Sequence, residues 1–330
     1  MEKVILGRDD FTVEIWSRGA CVNDICMPDR HGRISSVVLG YATEEDRIAS
    51  SGYFGEIVGP FGNRIAAGGY EIDGRRYTPD LNNNGVATLH GGSHGFSYQD
   101  WEVAQVDDQS LTLSLSWSDP NEGFPGPIHV KVAYVLEGWS LTHKVIATTE
   151  VPTVISIVSH PYFNLSGGSE TIDGHLLQVG ASQYLPVNKN LIPLPEAPVA
   201  VDGTPFDFRG SRLLGEAFAE PDPQVIATGG IDHALILNGS GMRQVALLRH
   251  QESGRELIFH TDYPALQIYT GHMMTNPRIS HPEGAGGKGT GIALETEEYP
   301  DAPRRPDFPS TILRPGEEYC RTTTWEFRVG

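Results

Sequence analysis

The sequence has few cysteines: Cys21, Cys26 and Cys320 are the only three among 330 residues. An odd number leaves one thiol over under any pairing, and no two of the three are spaced as CxxC. The count therefore argues against a disulfide framework and against a cysteine-bound zinc site. We expect all three thiols to be reduced.

Basic residues and long apolar runs are also scarce. Lysine and arginine number 24 against 42 aspartates and glutamates, and the formal charge of −18 repels phosphate backbones and anionic membrane surfaces. Residues 1–10, MEKVILGRDD, lack the apolar core of a secretory signal, and no run of about 18 apolar residues occurs. We therefore expect a soluble, cytoplasmic protein whose partners include neither nucleic acid nor a membrane.

Helical periodicity is almost missing. The two best candidates, residues 43–51 and 213–219, would make one or two turns and could not cover a parallel sheet, which argues against a βαβ architecture. We predict an all-β fold, a large and mainly antiparallel β-sandwich with very little helix. Its strands are predicted where apolar and polar residues alternate, at residues 111–117, 128–136, 141–148, 154–160, 266–270 and 323–329.

The domain organisation depends on one linker-like segment. Residues 186–202 are rich in proline, but the aromatic residues Phe206 and Phe208 follow directly, without a change of composition. We therefore predict that residues 1–330 form a single domain. The sequence leaves the oligomeric state open between a monomer and a homodimer.

The most informative stretch reads GIALETEEYP and begins at Gly291. If it is a strand, Gly291, Ala293 and Glu295 share one face, because side chains alternate between the two faces of a sheet. Small residues beside a carboxylate would leave space for a ligand. The alternative is a solvated acidic strand end, because Glu297 and Glu298 follow.

Two histidines flank a glycine pair in LHGGSHG. His90 and His94 are four residues apart, which on a helix would suggest a metal site, but the glycines favour a loop and no HExxH-type glutamate is present. The segment GGSHG around Ser93 also matches the G-x-S-x-G nucleophile elbow, which requires a following helix. Residues 96–103 have a strand-like pattern instead. We expect neither a metal site nor a nucleophilic serine here.

Further polar candidates lie at the edges of predicted strands, and each has a structural alternative. An arginine can belong to an ion pair, a histidine after an apolar run can be a satisfied core residue, and an aspartate can cap a turn. The same residue types also bind hydroxyls or transfer protons. The candidates are Asn63 and Arg64 in GPFGNRI, His160 in VSHPYF, Asp232 and His233 in GGIDHALI, and Gln267 in LQIYT.

Together these motifs resemble the aldose 1-epimerase, or galactose mutarotase, family. The resemblance runs from residue 37 to residue 325, and the matching motifs occur in the family's order. They are GNRI at 62–65, LHGG at 89–92, GFPG at 123–126, HPYFNL at 160–165, YLPV at 184–187, GTPFDFR at 203–209, DH at 232–233, LETE at 294–297 and LRPGEEY at 313–319.

The resemblance implies a β-sandwich enzyme that interconverts the α and β anomers of a free aldose such as galactose or glucose. It implies that Glu295 is the general base and His160 the general acid of ring opening and reclosure. No cofactor and no metal are implied, and the partner is a small-molecule aldose. The implied sugar-binding residues are Arg64, His90 and Asp232, with Asn63 and Gln267 beside them.

Two other functions stay open at this stage. A hexose-6-phosphate 1-epimerase would have the same fold but would need a basic cluster at its cleft, and a non-catalytic sugar-binding or regulatory module would bind sugar without accelerating its conversion. The chain also departs from the family's common pattern, with consequences for substrate preference that the sequence leaves open. These departures are at Pro60, Ser159, Pro161 and His233.

Overall fold

Segments in which apolar and polar residues alternate form strands in the computed structural model. The structure describes residues 1–50, 52–121, 123–274, 280–281, 284–285 and 287–330. In the strand Ile128–Glu137, for example, every second side chain is buried. Such a strand packs one face on a core and turns the other toward solvent. The described helices are short, and none has the length and apolar character needed to cross a bilayer.

The strands are numbered in chain order. They are β1 (Lys3–Arg8), β2 (Phe11–Trp16), β3 (Cys21–Pro28), β4 (Ile34–Ser36), β5 (Val38–Leu39), β6 (Ile57–Val58), β7 (Arg64–Ala66), β8 (Tyr70–Ile72), β9 (Arg75–Tyr77), β10 (Ala87–Leu89), β11 (Glu102–Val106), β12 (Ser110–Trp117), β13 (Ile128–Glu137), β14 (Ser140–Thr149), β15 (Thr153–Val154), β16 (Val158–Ser159), β17 (Tyr162–Phe163), β18 (His175–Val179), β19 (Ala181–Tyr184), β20 (Val199–Ala200), β21 (Arg212–Leu213), β22 (Asp232–Leu237), β23 (Arg243–His250), β24 (Arg255–Thr261), β25 (Ala265–Tyr269), β26 (Ser280–His281), β27 (Gly284–Ala285), β28 (Ile292–Glu297), β29 (Ile312–Leu313) and β30 (Tyr319–Val329). The helices are α1 (Glu44–Ala49), α2 (Leu214–Ala219) and α3 (Pro223–Thr228), with 3₁₀ turns at Phe96–Tyr98, Ile172–Gly174 and Ala302–Arg304.

Two large antiparallel sheets form the sandwich. One has nine strands in the order β11-β12-β13-β14-β30-β24-β23-β18-β21, and the other has seven in the order β20-β19-β22-β25-β28-β17-β5. Phe163 of the seven-stranded sheet packs on Phe259 and Trp325 of the nine-stranded sheet, with ring centroids 5.6 and 5.4 Å apart. The core therefore lies between the two sheets, and the predicted all-β sandwich is confirmed.

Local predictions mostly hold, with three differences. Residues 154–160 are not one strand, because their two ends pair with different partners, β29 and β6. Residues 96–103 begin with a 3₁₀ turn, closed by a hydrogen bond of 3.2 Å from the Gln99 amide to the Phe96 carbonyl, which also accepts Trp101 Nε1 at 3.1 Å. Helix α3 was not predicted, although the Asp222 side chain caps its start and Gly229, at φ 66°, ends it.

Strand β28 lies inside the seven-stranded sheet, between β25 and β17. Its register places Gln267 opposite Glu295 and Tyr162 opposite Ala293. The next strand beyond β25 is β22, which begins at Asp232. Residues from four neighbouring strands are thereby brought to one region of the sheet.

Candidate active site

A cavity of about 150 Å³ lies over β28 and its neighbours. It contains every residue for which the family resemblance implies a role in catalysis or sugar binding, so distant parts of the sequence meet in one place. The cavity is lined by Tyr53, Asn63, Arg64, Leu89, His90, His160, Tyr162, Asp232, Gln267, Tyr269, Met273 and Glu295.

His160 and Glu295 form the central pair of this cavity. The Nε2 atom of His160 lies 3.3 Å from Oε1 of Glu295, and the two residues are 3% and 2% exposed. The other side-chain atoms, His160 Nδ1 and Glu295 Oε2, have no hydrogen-bond partner among the described residues. The backbone of His160 is fixed by two hydrogen bonds of 3.0 Å, to the Glu56 carbonyl and from the Gly55 amide.

Burial dominates the electrostatics of this pair. It raises the pKa of Glu295 well above its ordinary value; the negative charge of Asp232 adds to the rise, and Arg64 opposes it. Burial also lowers the pKa of His160 to about 4. Both shifts favour the uncharged forms, because a buried charge loses its hydration. The pair nevertheless holds one proton between them, as an ion pair or as a neutral pair.

His90 is positioned as a hydrogen-bond donor. It has a left-handed backbone (φ 53°), and its Nδ1 accepts a hydrogen bond of 3.1 Å from the backbone amide of Asn63. Nδ1 therefore carries no proton, and the neutral ring must carry its proton on Nε2. The pKa of His90 is lowered, mainly by burial and then by the charges of His160 and Arg64, which keeps the ring neutral.

The arrangement does not suit a metal ion. Candidate ligand atoms of His90, His160 and Glu295 lie within 4.8 Å of one another. One nitrogen of His90 already accepts the Asn63 amide and the other carries the ring proton, so neither offers a lone pair to a metal. His94, the other histidine of the loop, is exposed and outside the cavity.

Asn63 and Arg64 enter the cavity from the start of β7. Asn63 has a left-handed backbone (φ 61°), which asparagine tolerates better than most residues. Its Oδ1 accepts the Arg64 amide at 2.8 Å, and its Nδ2 donates to Oε1 of Glu297 at 3.2 Å. The Arg64 guanidinium donates to Asn83 Oδ1 at 3.2 Å and lies 3.9 Å from Oδ2 of Asp232.

Asp232 and Gln267 are two further polar residues that line the cavity. Gln267 Nε2 donates to Oδ1 of Asp232 at 2.5 Å, and burial raises the pKa of Asp232 despite the opposing charge of Arg64. His233, the departure beside Asp232, does not line the cavity. Its Nδ1 accepts the Asp232 amide at 3.2 Å and its Nε2 lies 3.0 Å from Oε1 of Gln224, on α3. His233 therefore anchors the start of β22 from behind.

Sequence reasoning gave no role to the cavity's aromatic residues. The ring of Tyr53 lies 4.6 Å from that of His90 and 6.0 Å from that of His160, and Tyr162 packs 5.0 Å from His160. Tyr162 lies inside the HPYFNL motif, which could have indicated it. Tyr269 shares a face with Gln267 in the strand predicted at residues 266–270, as side chains that line a groove would. Nothing in the sequence around Tyr53 indicates that residue.

The expectation that Gly291 and Ala293 leave room for a sugar is wrong. A Cβ atom at Gly291 would lie 2.7 Å from a methyl carbon of Leu39 and 3.0 Å from Cβ of Tyr162. Ala293 is fully buried in the aromatic cluster around Tyr162. The small residues make room for protein side chains. The cavity lies at the Glu295 end of the strand.

The sequence is similar to known proteins along its full length. The sequence model of the family described as aldose 1-epimerase matches residues 2–325. Galactose mutarotase of Bos taurus is 38% identical over 332 residues, covering 100% of this chain and 94% of that protein. Aldose 1-epimerase of Escherichia coli strain K12 is 33% identical and covers 96% of this chain and 91% of its own length.

Solved structures are also similar to this chain along nearly its full length. The aldose epimerase homologue from C. elegans superposes with a TM-score of 0.92 at 26% identity, over 99% of both chains. Galactose 1-epimerase from Lactobacillus acidophilus superposes with a TM-score of 0.85 at 27% identity, over 99% of this chain and 94% of that one. With the family's sequence model matched from residue 2 to residue 325, this chain belongs to the aldose 1-epimerase family.

Proposed function

We propose that the chain is a mutarotase, an isomerase that interconverts the α and β anomers of a free aldose such as galactose or glucose without a cofactor. The observation that carries this proposal is the His160–Glu295 pair, 3.3 Å apart in a polar cavity. A base and an acid held this closely can act on two oxygens bonded to the same carbon. The anomeric hydroxyl and the ring oxygen of a pyranose are such a pair.

Ring opening transfers one proton off the sugar and one onto it. The Glu295 carboxylate takes the proton of the anomeric hydroxyl, while the His160 imidazolium gives its proton to the ring oxygen. The bond between C1 and the ring oxygen breaks, and C1 becomes an aldehyde. After rotation about C1–C2, the ring oxygen attacks the other face of the aldehyde, and both protons return to their original groups.

The remaining cavity residues suit the hydroxyls and the C–H faces of a sugar. The guanidinium of Arg64 and the Nε2–H of His90 donate, and the carboxylate of Asp232 accepts. Tyrosine rings beside them offer apolar surface to the C–H groups of a pyranose. Positioned acid–base catalysis of this kind contributes about 10²–10⁴-fold to a rate.

The cavity's charges weigh against a phosphorylated sugar. Arg64 is the only Lys or Arg side chain among its described lining residues, and it already faces Asp232 at 3.9 Å. Two carboxylates, Asp232 and Glu295, also line the cavity and would repel a phosphate. A non-catalytic binding module, in turn, would have no need of an acid and a base in contact with each other.

Polarimetry tests the proposal directly. Fresh α-D-galactose and α-D-glucose are mixed with the purified protein, and the rate above the spontaneous one is compared with that of Glu295→Gln and His160→Asn variants whose folding is checked by circular dichroism. Both variants should lose at least about 100-fold. Rates near wild type in both variants would reject these roles, and sugar binding without any acceleration by the wild type would indicate a binding module.

A coupled anomer assay identifies the substrate. Galactose, glucose, xylose and arabinose are compared, with glucose 6-phosphate as the phosphorylated arm. We expect the free hexoses to be preferred. A higher kcat/KM for the phosphorylated sugar than for glucose would favour the hexose-6-phosphate 1-epimerase instead.

We also propose that residues 1–330 form one domain that works in the cytoplasm, as a monomer or a homodimer. One hydrophobic cluster contains residues from Leu6 to Phe327, which supports a single folding unit. Strand β30 pairs with both β14 and β24 and so ties the end of the chain into the largest sheet. The three cysteines are unpaired, as a reducing compartment would keep them.

A further inference from the structure

Glu297 is a second buried carboxyl group next to the proposed base. It lies two residues after Glu295 on β28, so both side chains leave the strand on the same face. Glu297 is 0% exposed, yet it does not line the sugar cavity. The mechanism above assigns it no role.

Its contacts differ from those of an ordinary buried carboxylate. Oε1 accepts a hydrogen bond of 3.2 Å from Nδ2 of Asn63, and Oε2 has no hydrogen-bond partner among the described residues. The ion pairs formed within the described part of the chain do not include Glu297. Arg64, which lines the cavity, is paired with Asp232 instead. A buried charge left without a partner is costly.

The groups that face Glu297 make a negative charge there less favourable still. Burial raises its pKa, and so do the charges of Glu295 on the same strand and of Asp232 on β22; Asn63 and Arg64 oppose the rise. His160, which follows β16, reaches Glu295 and not Glu297. Two carboxyl groups this close do not both ionise easily. If Glu297 keeps its proton, Glu295 is the group that can take up the negative charge.

Asn63 connects Glu297 to the sugar-binding residues. Its amide donates to His90 Nδ1 at 3.1 Å, its Oδ1 accepts the Arg64 amide at 2.8 Å, and its Nδ2 donates to Glu297. Asn63 thereby fixes the tautomer of His90 and the position of the Arg64 backbone amide. Glu297 is the only one of its three partners that belongs to the strand of the base.

We propose that Glu297 is a positioning residue that works as a neutral carboxylic acid: its Oε1 holds Asn63, and with it His90 and Arg64, against the strand of Glu295. The inference rests on the proposed mutarotase function. It requires an acceptor oxygen at position 297 but not a negative charge. Glutamine provides the oxygen without the charge, and alanine provides neither.

The test compares Glu297→Gln with Glu297→Ala. We expect the alanine variant to lose about tenfold or more in kcat/KM for galactose at pH 7, because a buried Asn63 donor is left unpaired. The glutamine variant should recover most of that loss. Its kcat/KM should also fall less than that of the wild type as the pH rises toward 9, since glutamine cannot ionise. A Glu297→Gln variant as impaired as Glu297→Ala would overturn the proposal.

Stability provides a readout that does not depend on activity. A carboxyl group that keeps its proton in the folded protein but loses it on unfolding makes the folded state less stable as the pH rises above the unfolded pKa, about 4.3. The urea midpoint of the wild type should therefore fall more between pH 5 and pH 8 than that of Glu297→Gln. Equal falls would show that Glu297 is ionised and would reject the proposal.

The two readouts separate the possible failures. A wild type that does not accelerate mutarotation rejects the proposed function, while the urea midpoints still report whether Glu297 is protonated. If Glu297→Ala fails to fold, the glutamine variant still tests the proposal through its pH profile and its urea midpoints.

Discussion

Nε2 of His160 and Oε1 of Glu295 lie 3.3 Å apart, at a site where neither residue is more than 3% exposed. Burial lowers the pKa of the histidine to about 4 and raises that of the glutamate. The pair therefore keeps a single proton over a wide pH range. In the proposed mechanism, only the form with an ionised Glu295 and a protonated His160 can start ring opening, and its fraction stays constant while the pair holds that one proton.

The pH profile of kcat/KM follows from this shared proton. Below about pH 4 a second proton enters the pair and removes the base; at high pH the last proton leaves and removes the acid. Because burial raises the pKa of Glu295, we expect the alkaline fall to lie well above about pH 4.3, the ordinary value for glutamate. The measurement is the enzymatic mutarotation rate from pH 4 to 9, with the spontaneous rate subtracted at each pH. An alkaline fall near the ordinary glutamate value of about 4.3 would show that burial does not raise the pKa of Glu295.

Arg64 should contribute to sugar binding through the geometry of its guanidinium as well as through its charge. Its guanidinium reaches both Asn83 and Asp232, whereas the single ammonium of lysine cannot donate along the same fork. Arg64→Lys should therefore raise KM for galactose about tenfold, the effect of about 1.4 kcal/mol.

Arg64→Met removes both the positive charge and the forked hydrogen-bond donors, whereas Arg64→Lys removes only the forked donors. Comparing the two variants therefore isolates the effect of the charge. The methionine variant loses the positive charge that lowers the pKa of Glu295, so its alkaline fall in kcat/KM should move to higher pH than in the lysine variant. Steady-state kinetics of both variants across the pH range check this. Identical KM values for Arg64→Lys and the wild type would show that charge alone suffices.

Local signals in the sequence predicted the local parts of the structure. Alternation predicted a strand with Ala293 and Glu295 on one face, and both lie on β28. The helical candidate at residues 43–51 contains α1, and the Thr43 side chain caps that helix by accepting a hydrogen bond from the Asp46 amide. Helix α3 was missed, although Asp222-Pro223 at its start was a readable signal.

Contacts between distant segments could not be predicted from the residues alone. Asn63 and Glu297 are separated by 234 positions in the sequence, yet they share a hydrogen bond. Gly291 was misassigned because its neighbours Leu39 and Tyr162 come from strands that join the sheet in non-sequential order. Strand order depends on which faces bury best against each other, and a single sequence does not display it.

His233 should matter for stability more than for chemistry. It is 0% exposed, with Phe206 packed 4.4 Å away, and it bonds the Asp232 amide and Gln224. His233→Phe keeps the ring volume and removes both hydrogen bonds, so it should lower the free energy of unfolding by about 1–3 kcal/mol. Urea unfolding measures the loss, and kcat at saturating galactose should change by less than about threefold. A large fall in kcat with unchanged stability would instead indicate a direct role in catalysis.

Glu298 is the third of the neighbouring acids, and we expect it to have a different role from Glu295 and Glu297. It follows the last residue of β28, and its Oε1 accepts a hydrogen bond of 2.8 Å from Nε of Arg321 and lies 2.7 Å from Nη2 of the same side chain. Glu298→Gln should lower the free energy of unfolding by about 1–2 kcal/mol, because a largely buried, charge-assisted pair is lost. Its kcat/KM should match the wild type within about twofold, since Glu298 does not line the cavity. The variant is measured beside Glu295→Gln, which should be inactive yet folded. The comparison shows whether catalysis depends on the carboxyl group that lines the cavity or on the number of negative charges nearby. If Glu298→Gln also lost activity with its fold intact, the assignment of the base to Glu295 alone would fail.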